Sequence, residues 1–198
     1  MSDEGPFRLL AAVFLGAALA ISGFYRRRAE RAGGTLNEGA SAGLLIALRA
    51  VGLAALLPVV AYLVHPPWVG WARIPLPPAV RWLAGAAGIA MLPLLAWIFR
   101  SIGLNISPSH ATRHGHTLVT HGPYRFVRHP LYTTGTLLSV ALALLTGLWW
   151  PLAWLVPGLL LLLRRTPLEE ARLVEAFGDR YLDYRERTGR YLPRLRVP

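Results

Sequence analysis

The sequence predicts an all-α polytopic membrane protein with five transmembrane helices, a C-terminal helical hairpin and an amphipathic tail helix. Hydrophobic residues make up 54% of the 198 residues, and the mean hydropathy is +0.42. Charged residues make up only 16%, against about 25% in soluble domains. A chain of this length has too little interior to bury so much apolar surface as a soluble globule, and disorder requires low hydrophobicity.

The formal net charge of +11 comes from 21 basic residues, every one an arginine. These arginines cluster beside long apolar runs, which favours a role in membrane topology and excludes nucleic acid as a partner. Cysteine is absent, so disulfides, thiol nucleophiles and cysteine-ligated metals are excluded.

The apolar runs predict a single integral-membrane domain over residues 1–198. The predicted spans are about 7–25, 42–64, 79–99, 131–147 and 149–163. Acidic residues precede the first run and Arg26, Arg27 and Arg28 follow it, which is the reverse of a secretory signal and places the N-terminus outside. Arg49 in the second span either snorkels to the cytoplasmic face or makes a buried substrate contact.

The charge-free stretch 131–163 would span about 50 Å as one helix, against a hydrocarbon core of about 30 Å. Gly147 and Pro151 supply a break, so two short helices form a hairpin with Trp149 and Trp150 at the outer interface. The arginine-rich segments 100–130 and 164–198 are then cytoplasmic. We expect an inner or plasma membrane location, in a prokaryote, with the C-terminus in the cytoplasm.

The tail is predicted to start a new helix, because Thr166, Pro167 and Glu169 match a capping box with proline at the first helical position. Apolar residues then recur at helical spacing from Leu168 to Tyr184, with an interruption at Gly178.

Five of the six histidines fall between residues 110 and 129, yet no metal site is predicted. His110 and His114 have a helical i, i+4 spacing, but the segment contains no carboxylate, and its prolines and glycines favour a loop.

Polar groups converge at one membrane depth. Arg128, His129 and Tyr132 lie where the loop enters the fourth span, and Arg165 and Glu169 lie where the fifth span leaves. Since a hairpin brings its two ends together, these groups should be neighbours. They form either a functional site or a pair of topology-setting arginines beside a helix cap.

Two sequence blocks flank the hairpin. The first block reads His116-x-Leu118-Val119-x-x-Gly122-x-Tyr124-x-x-x-Arg128-His129-Pro130-x-Tyr132. The second block reads Glu169-Glu170-x-x-Leu173-x-x-x-Phe177-Gly178-x-x-Tyr181-x-x-Tyr184. Together, over about residues 103–193, they resemble the isoprenylcysteine carboxyl methyltransferases and the related phospholipid methyltransferases.

The resemblance implies an integral-membrane methyltransferase that uses S-adenosylmethionine and acts on a membrane lipid or lipidated substrate at the cytoplasmic face. It implies cofactor binding by ten residues: His116, Thr117, Leu118, Val119, Tyr124, His129, Pro130, Leu131, Tyr132 and Glu169. It implies a substrate contact at Arg165. The family's glycine two residues after the second tyrosine is Thr134 here, and an upstream amide contact is placed at Asn105.

The chemistry assigns catalytic roles to Arg165, Arg128 and His129. A carboxylate acceptor needs no base but needs a positive partner, which the fork of Arg165 offers. An amine acceptor would instead need a proton acceptor such as His129 or Tyr132. Carboxylate O-methylation is therefore favoured, and amine N-methylation is the alternative reaction.

Two alternatives remain open at this point. Membrane sterol reductases carry a similar Arg-His-Pro-x-Tyr element and use a nicotinamide cofactor, although they usually have asparagine where this chain has Leu131. A non-catalytic membrane protein should show a degraded motif, and this motif is nearly intact.

Overall fold

A computed structural model describes residues 4–31, 42–103 and 117–194. The described helices are α1 Gly5–Arg31, α2 Ala42–Val64, α3 Pro78–Ile102, α4 Pro130–Thr146, α5 Trp150–Phe177 and α6 Asp179–Arg187. Short 3-10 helices cover Pro66–Ala72 and Gly122–Arg125. The predicted all-α class is confirmed.

Three helices of the described chain, α1, α2 and α3, are long and apolar enough to cross a membrane. Helix α4 is apolar but has only 17 residues, and α5 has 28 residues, of which the second half is charged. The integral-membrane character follows from these helices, and a count of five spans stays a prediction.

Helix α3 packs against both α1 and α4, and α2 packs against α5. Helices α1 and α3 run parallel, because Phe7 meets Trp82 near their starts and Tyr25 meets Phe99 near their ends. Close packing of α1 on α3 depends on glycine, because a Cβ at Gly88 would lie 2.6 Å from the Phe14 ring. The bundle therefore has two ends. We name the two ends after the predicted topology: the outer end holds the start of α1, the end of α2 and the α4–α5 turn, and the inner end holds the arginine-rich helix ends.

The predicted hairpin break is confirmed at Gly147, which has a φ of 66° and ends α4. The Gly147 carbonyl accepts a hydrogen bond from Ile74 N at 2.8 Å, and Trp149 N donates to the Ala72 carbonyl at 3.0 Å. The loop after α2 is thereby joined to the hairpin turn.

A carboxylate ties the outer end together. Glu4 accepts hydrogen bonds from Tyr62 Oη at 2.7 Å, from both terminal nitrogens of Arg81 at 3.0 and 2.8 Å, and from Arg73. Burial raises the pKa of Glu4, but the hydrogen bonds from Arg81, Arg73 and Tyr62 outweigh it and lower that pKa to about 2. Sequence inspection missed this cluster, because Arg81 falls inside the predicted third span.

The predicted helix start at Thr166 is wrong. Helix α5 runs without a break through Pro167, and Thr166 Oγ1 donates to the Leu162 carbonyl at 2.8 Å instead of capping a new helix. The predicted interruption at Gly178 is confirmed, with a φ of 53° between α5 and α6. The predicted apolar face holds only in part, since Tyr181 is buried whereas Leu168 is 56% exposed.

Candidate active site

The loop that leads into α4 is shaped by a glycine and anchored by a tyrosine. Gly122 has a φ of 61°, and the 3-10 turn that follows buries Pro123 and Tyr124. The Tyr124 carbonyl accepts a hydrogen bond from Tyr184 Oη of α6 at 2.6 Å. Burial raises the pKa of Tyr124 well above its ordinary value, so this phenol stays neutral.

The tail returns to pair with the same loop. Val127 and Gly189 form a parallel bridge, in which Arg128 N donates to the Gly189 carbonyl at 2.9 Å and His129 N donates to the Arg190 carbonyl at 3.0 Å. Thr133 Oγ1 donates to the Tyr191 carbonyl at 2.7 Å. Residues 189–191 therefore form a strap across the start of α4.

Glu170 is the central group of the inner end. Its carboxylate lies 2.9 Å from Arg128 Nε, 3.3 Å from His129 Nε2 and 2.7 Å from Arg190 Nη2. Arg128 also donates to the carbonyls of Arg185 and Thr188. One side chain of α5 thus joins the loop, α4 and the strap.

Electrostatics keep this carboxylate ionised. Burial raises the pKa of Glu170, but hydrogen bonds from His129, Arg190 and Arg128 outweigh it and hold that pKa well below the usual range for glutamate. The side chains of Glu170 and Arg128 are only 6% and 8% exposed. A buried charge is stable only when paired in this way, so the group is a fixed structural anion.

Glu169 lies one residue earlier and faces a different neighbour. Tyr132 Oη donates to Glu169 Oε2 at 2.7 Å, and His129 Nδ1 lies 3.9 Å from the same oxygen. The rings of His129 and Tyr132 stack with centroids 5.3 Å apart. The expected meeting of the hairpin's two ends is thus confirmed by direct contacts.

Two arginines share a face of α5 with Glu169. Arg165 precedes Glu169 by four residues and Arg172 follows it by three, so the three side chains form one stripe. Arg165 Nε and Arg172 Nη1 are both buried and have no hydrogen-bond partner in the part of the chain that the structure describes. Each of the two arginines that flank this carboxylate therefore has one buried N–H group without a partner in the described residues.

A mostly apolar cavity of about 410 Å³ opens between α2, α4 and α5, and Arg26 of α1 also lines it. Its α5 wall includes Leu155, Gly158, Leu159 and Leu162, and Tyr132 closes part of the inner side. Since Arg165 follows Leu162 by three residues, the cavity wall of α5 continues directly into the charged stripe.

Comparison with known proteins identifies the fold family. The model of the phospholipid methyltransferase family matches residues 80–180, just over half of the chain. The chain belongs to this family. Residues of the chain are also 34% identical, over 80 positions, to Protein-S-isoprenylcysteine O-methyltransferase of Tribolium castaneum. That alignment covers 39% of this chain and 28% of the relative, so the chain spans well under a third of it.

The family segment contains most residues singled out from the sequence. His129 and Tyr132 meet Glu169 as expected, and Pro130 begins α4. Thr117, Leu118 and Val119 form the described start of the loop before Tyr124. His116, Asn105, His110 and His114 lie outside the described residues. Arg49 is exposed, which agrees with the snorkelling interpretation. The cofactor and catalytic roles stay predictions.

Sequence inspection missed Glu170, Arg172 and the strap. Glu170 stands in the quoted motif directly after Glu169. The two side chains point about 100° apart around α5, and for this reason they contact different residues. Arg190 and Tyr191 lie beyond the family segment. Tyr191 Oη donates to Thr166 Oγ1 at 2.7 Å, a contact that no local pattern signals.

Proposed function

We propose that this protein transfers a methyl group from S-adenosylmethionine to the polar head of a lipid-like or prenylated substrate. Membership of the phospholipid methyltransferase family supports the reaction class. The observation that carries the proposal is that Tyr132 both lines the apolar cavity and donates a hydrogen bond to Glu169, one helical turn from Arg165. An amphiphile placed there would present its head where the charged groups lie.

The residues at the inner end fit the proposed cofactor. Glu169 offers a carboxylate for an ammonium group, and Arg165 offers a positive charge whose buried Nε has no hydrogen-bond partner among the described residues. Leu118, Val119 and Tyr124 offer apolar and aromatic cover for a nucleoside. S-adenosylmethionine, when bound, supplies an activated methyl group on a sulfonium.

The protein's own contribution is then positioning. Holding the methyl donor and the acceptor in line can lower the activation free energy of the transfer by about 7–11 kcal/mol. Tyr132 orients the Glu169 carboxylate, and Arg165 holds the acceptor through a planar pair of donors. Lipid enters sideways between the helices, whereas the water-soluble cofactor enters from the cytoplasm.

A carboxylate acceptor is favoured over an amine. The planar pair of donors on Arg165 suits a carboxylate, and Tyr132 Oη is already engaged as a donor to Glu169. Arg128 is bound to Glu170 and to tail carbonyls, which favours a positioning role over direct contact with the reacting atoms.

A nicotinamide-dependent membrane reductase is the alternative enzyme class. The similar Arg128-His129-Pro130 element supports it, and Leu131 in place of asparagine weakens it. Family membership favours the methyltransferase.

The test is transfer of label. Purified protein in lipid nanodiscs is incubated with methyl-labelled S-adenosylmethionine and a membrane lipid extract, and labelled products are identified by mass spectrometry. A labelled ester that alkali releases supports carboxylate methylation, whereas an alkali-stable labelled amine indicates N-methylation. Absence of labelled lipid with any extract would contradict the proposal.

The cytoplasmic position of the site is tested by single cysteines, since the chain has none. Trp68 at the outer end is 62% exposed, and the side chain of Asp183 on α6 is 65% exposed. In intact cells an impermeant thiol reagent should label Trp68→Cys and spare Asp183→Cys. Labelling of Asp183→Cys alone would place the inner end outside.

A further inference from the structure

We propose that Arg172 binds the carboxylate of the cofactor's amino-acid group, while Glu169 accepts the ammonium of the same group. This inference rests on the proposed function. It adds a ligand contact at a residue that neither the sequence motifs nor the family comparison singles out.

The first reason is the unsatisfied state of Arg172. Its Nη1 atom is buried and lacks a hydrogen-bond partner, and none of the described ion pairs involves its guanidinium. A buried donor without a partner is unfavourable, and more so when it is charged. An anion supplied by a ligand would satisfy it.

The second reason is the order of groups along α5. Leu162 lines the cavity, and Arg165, Glu169 and Arg172 follow it in that order along α5. Because a helix rises 1.5 Å per residue, Arg165 lies about 6 Å before Glu169 and Arg172 about 4.5 Å beyond it. Lipid therefore meets Arg165 first, and a solute from the aqueous side meets Arg172 first.

The third reason is charge complementarity. The stripe reads positive, negative, positive from Arg165 through Glu169 to Arg172. An amino-acid zwitterion matches the Glu169–Arg172 pair with one group of each sign, which leaves Arg165 for the head of the acceptor. An arginine fork also matches a carboxylate with two parallel hydrogen bonds.

The test uses calorimetry with two ligands that differ only in the carboxylate, S-adenosylmethionine and its decarboxylated form. Arg172→Gln should weaken S-adenosylmethionine binding roughly ten- to a hundredfold. The same variant should bind the decarboxylated ligand within about twofold of the unmodified protein, because the missing contact no longer matters. This thermodynamic readout requires no turnover.

Two further variants complete the design. Arg180→Gln removes one positive charge from an exposed position on α6 and should leave both affinities unchanged. Arg172→Lys keeps the charge without the fork and should recover part of the affinity for S-adenosylmethionine. If Arg172→Gln does not fold, Arg172→Lys still tests the proposal. Its loss of affinity must again be confined to the ligand that carries the carboxylate.

Three results would overturn the assignment. Arg172→Gln could bind S-adenosylmethionine normally, or lose affinity for both ligands equally. It could also keep cofactor affinity while the KM for lipid rises, which would place Arg172 at the substrate head. If the unmodified protein binds neither ligand, the proposed function itself fails, and this outcome is distinct from the other three.

Discussion

The two ends of the bundle are each organised around one carboxylate, partly buried at the outer end and buried at the inner end, and they differ in the arginines beside it. At the outer end, Glu4 takes hydrogen bonds from Tyr62, Arg73 and Arg81, and the Arg81 guanidinium also lies 3.7 Å from the centre of the Phe7 ring. At the inner end, Glu170 takes the equivalent role.

The difference lies in the neighbouring groups. Arg8 at the outer end has one unpartnered nitrogen, but its guanidinium donates to the carbonyls of Leu63 and Val64. Arg165 and Arg172 at the inner end have no such partners among the described contacts, and Arg165 lies one helical turn from Leu162, which lines the apolar cavity. We therefore assign the outer cluster a structural role and propose that the inner cluster binds a ligand.

The largest expected effect separates the two carboxylates. Glu170→Gln leaves Arg128 and Arg190 without their anion, and loss of one partner of a buried ion pair costs about 3–5 kcal/mol. We expect a lower apparent melting temperature and weaker S-adenosylmethionine binding, because the strap and His129 lose their anchor.

Glu4→Gln is the matched variant at the outer end. It should also lower the melting temperature, but its S-adenosylmethionine affinity should stay within about twofold. Both properties are measured on the same nanodisc preparations. Equal loss of cofactor affinity in the two variants would show that the ends are not functionally distinct.

Arg165→Lys should reduce turnover while folding survives. Lysine keeps the positive charge but not the planar fork, so kcat/KM should fall roughly ten- to a hundredfold with cofactor affinity within a few-fold. Arg164→Lys, at the exposed neighbouring position, is the control and should behave normally. Normal turnover of Arg165→Lys would reduce this arginine to a determinant of topology.

Tyr132→Phe should have a smaller effect at the inner end than the changes above. It removes the hydrogen bond to Glu169 at 2.7 Å while keeping the ring that stacks on His129. A few-fold to tenfold loss of S-adenosylmethionine affinity is expected, in line with about 0.5–1.5 kcal/mol for one hydrogen bond. Tyr25→Phe, in α1, is the control, and equal losses in both would refute the role.

The smallest effect concerns acid pH. Since the pKa of Glu4 is lowered from 4.5 to about 2, its contribution to stability is full above about pH 4.5 and is lost as the pH falls towards 2. The difference in melting temperature between the unmodified protein and Glu4→Gln should be constant from pH 8 to 5 and smaller at pH 3. A difference that changes between pH 8 and 6 would contradict this assignment.

The sequence predicted what local patterns and charge placement determine. Gly147 and the flanking tryptophans gave the hairpin, and the hairpin in turn predicted the meeting of Tyr132 with Glu169. The capping-box prediction failed because Thr166 is held inside α5 by its bond to Leu162 and its contact with Tyr191.

Long-range contacts could not be predicted in the same way. Glu4 meets Arg81 across 77 positions and Arg128 meets Glu170 across 42, and neither pairing has a spacing rule. Adjacent glutamates also look equivalent in a sequence, although Glu169 faces Tyr132 and Glu170 faces the strap.

The most direct test of the inner end as a methyl-transfer site is calorimetry with S-adenosylmethionine and NADPH, on the unmodified protein and on Glu169→Gln. S-adenosylmethionine should bind, and loss of the charged acceptor should weaken binding roughly ten- to a hundredfold, since a charge-assisted hydrogen bond contributes about 1.5–3 kcal/mol. NADPH should not bind. Clear NADPH binding without S-adenosylmethionine binding would contradict the methyltransferase assignment and favour the reductase.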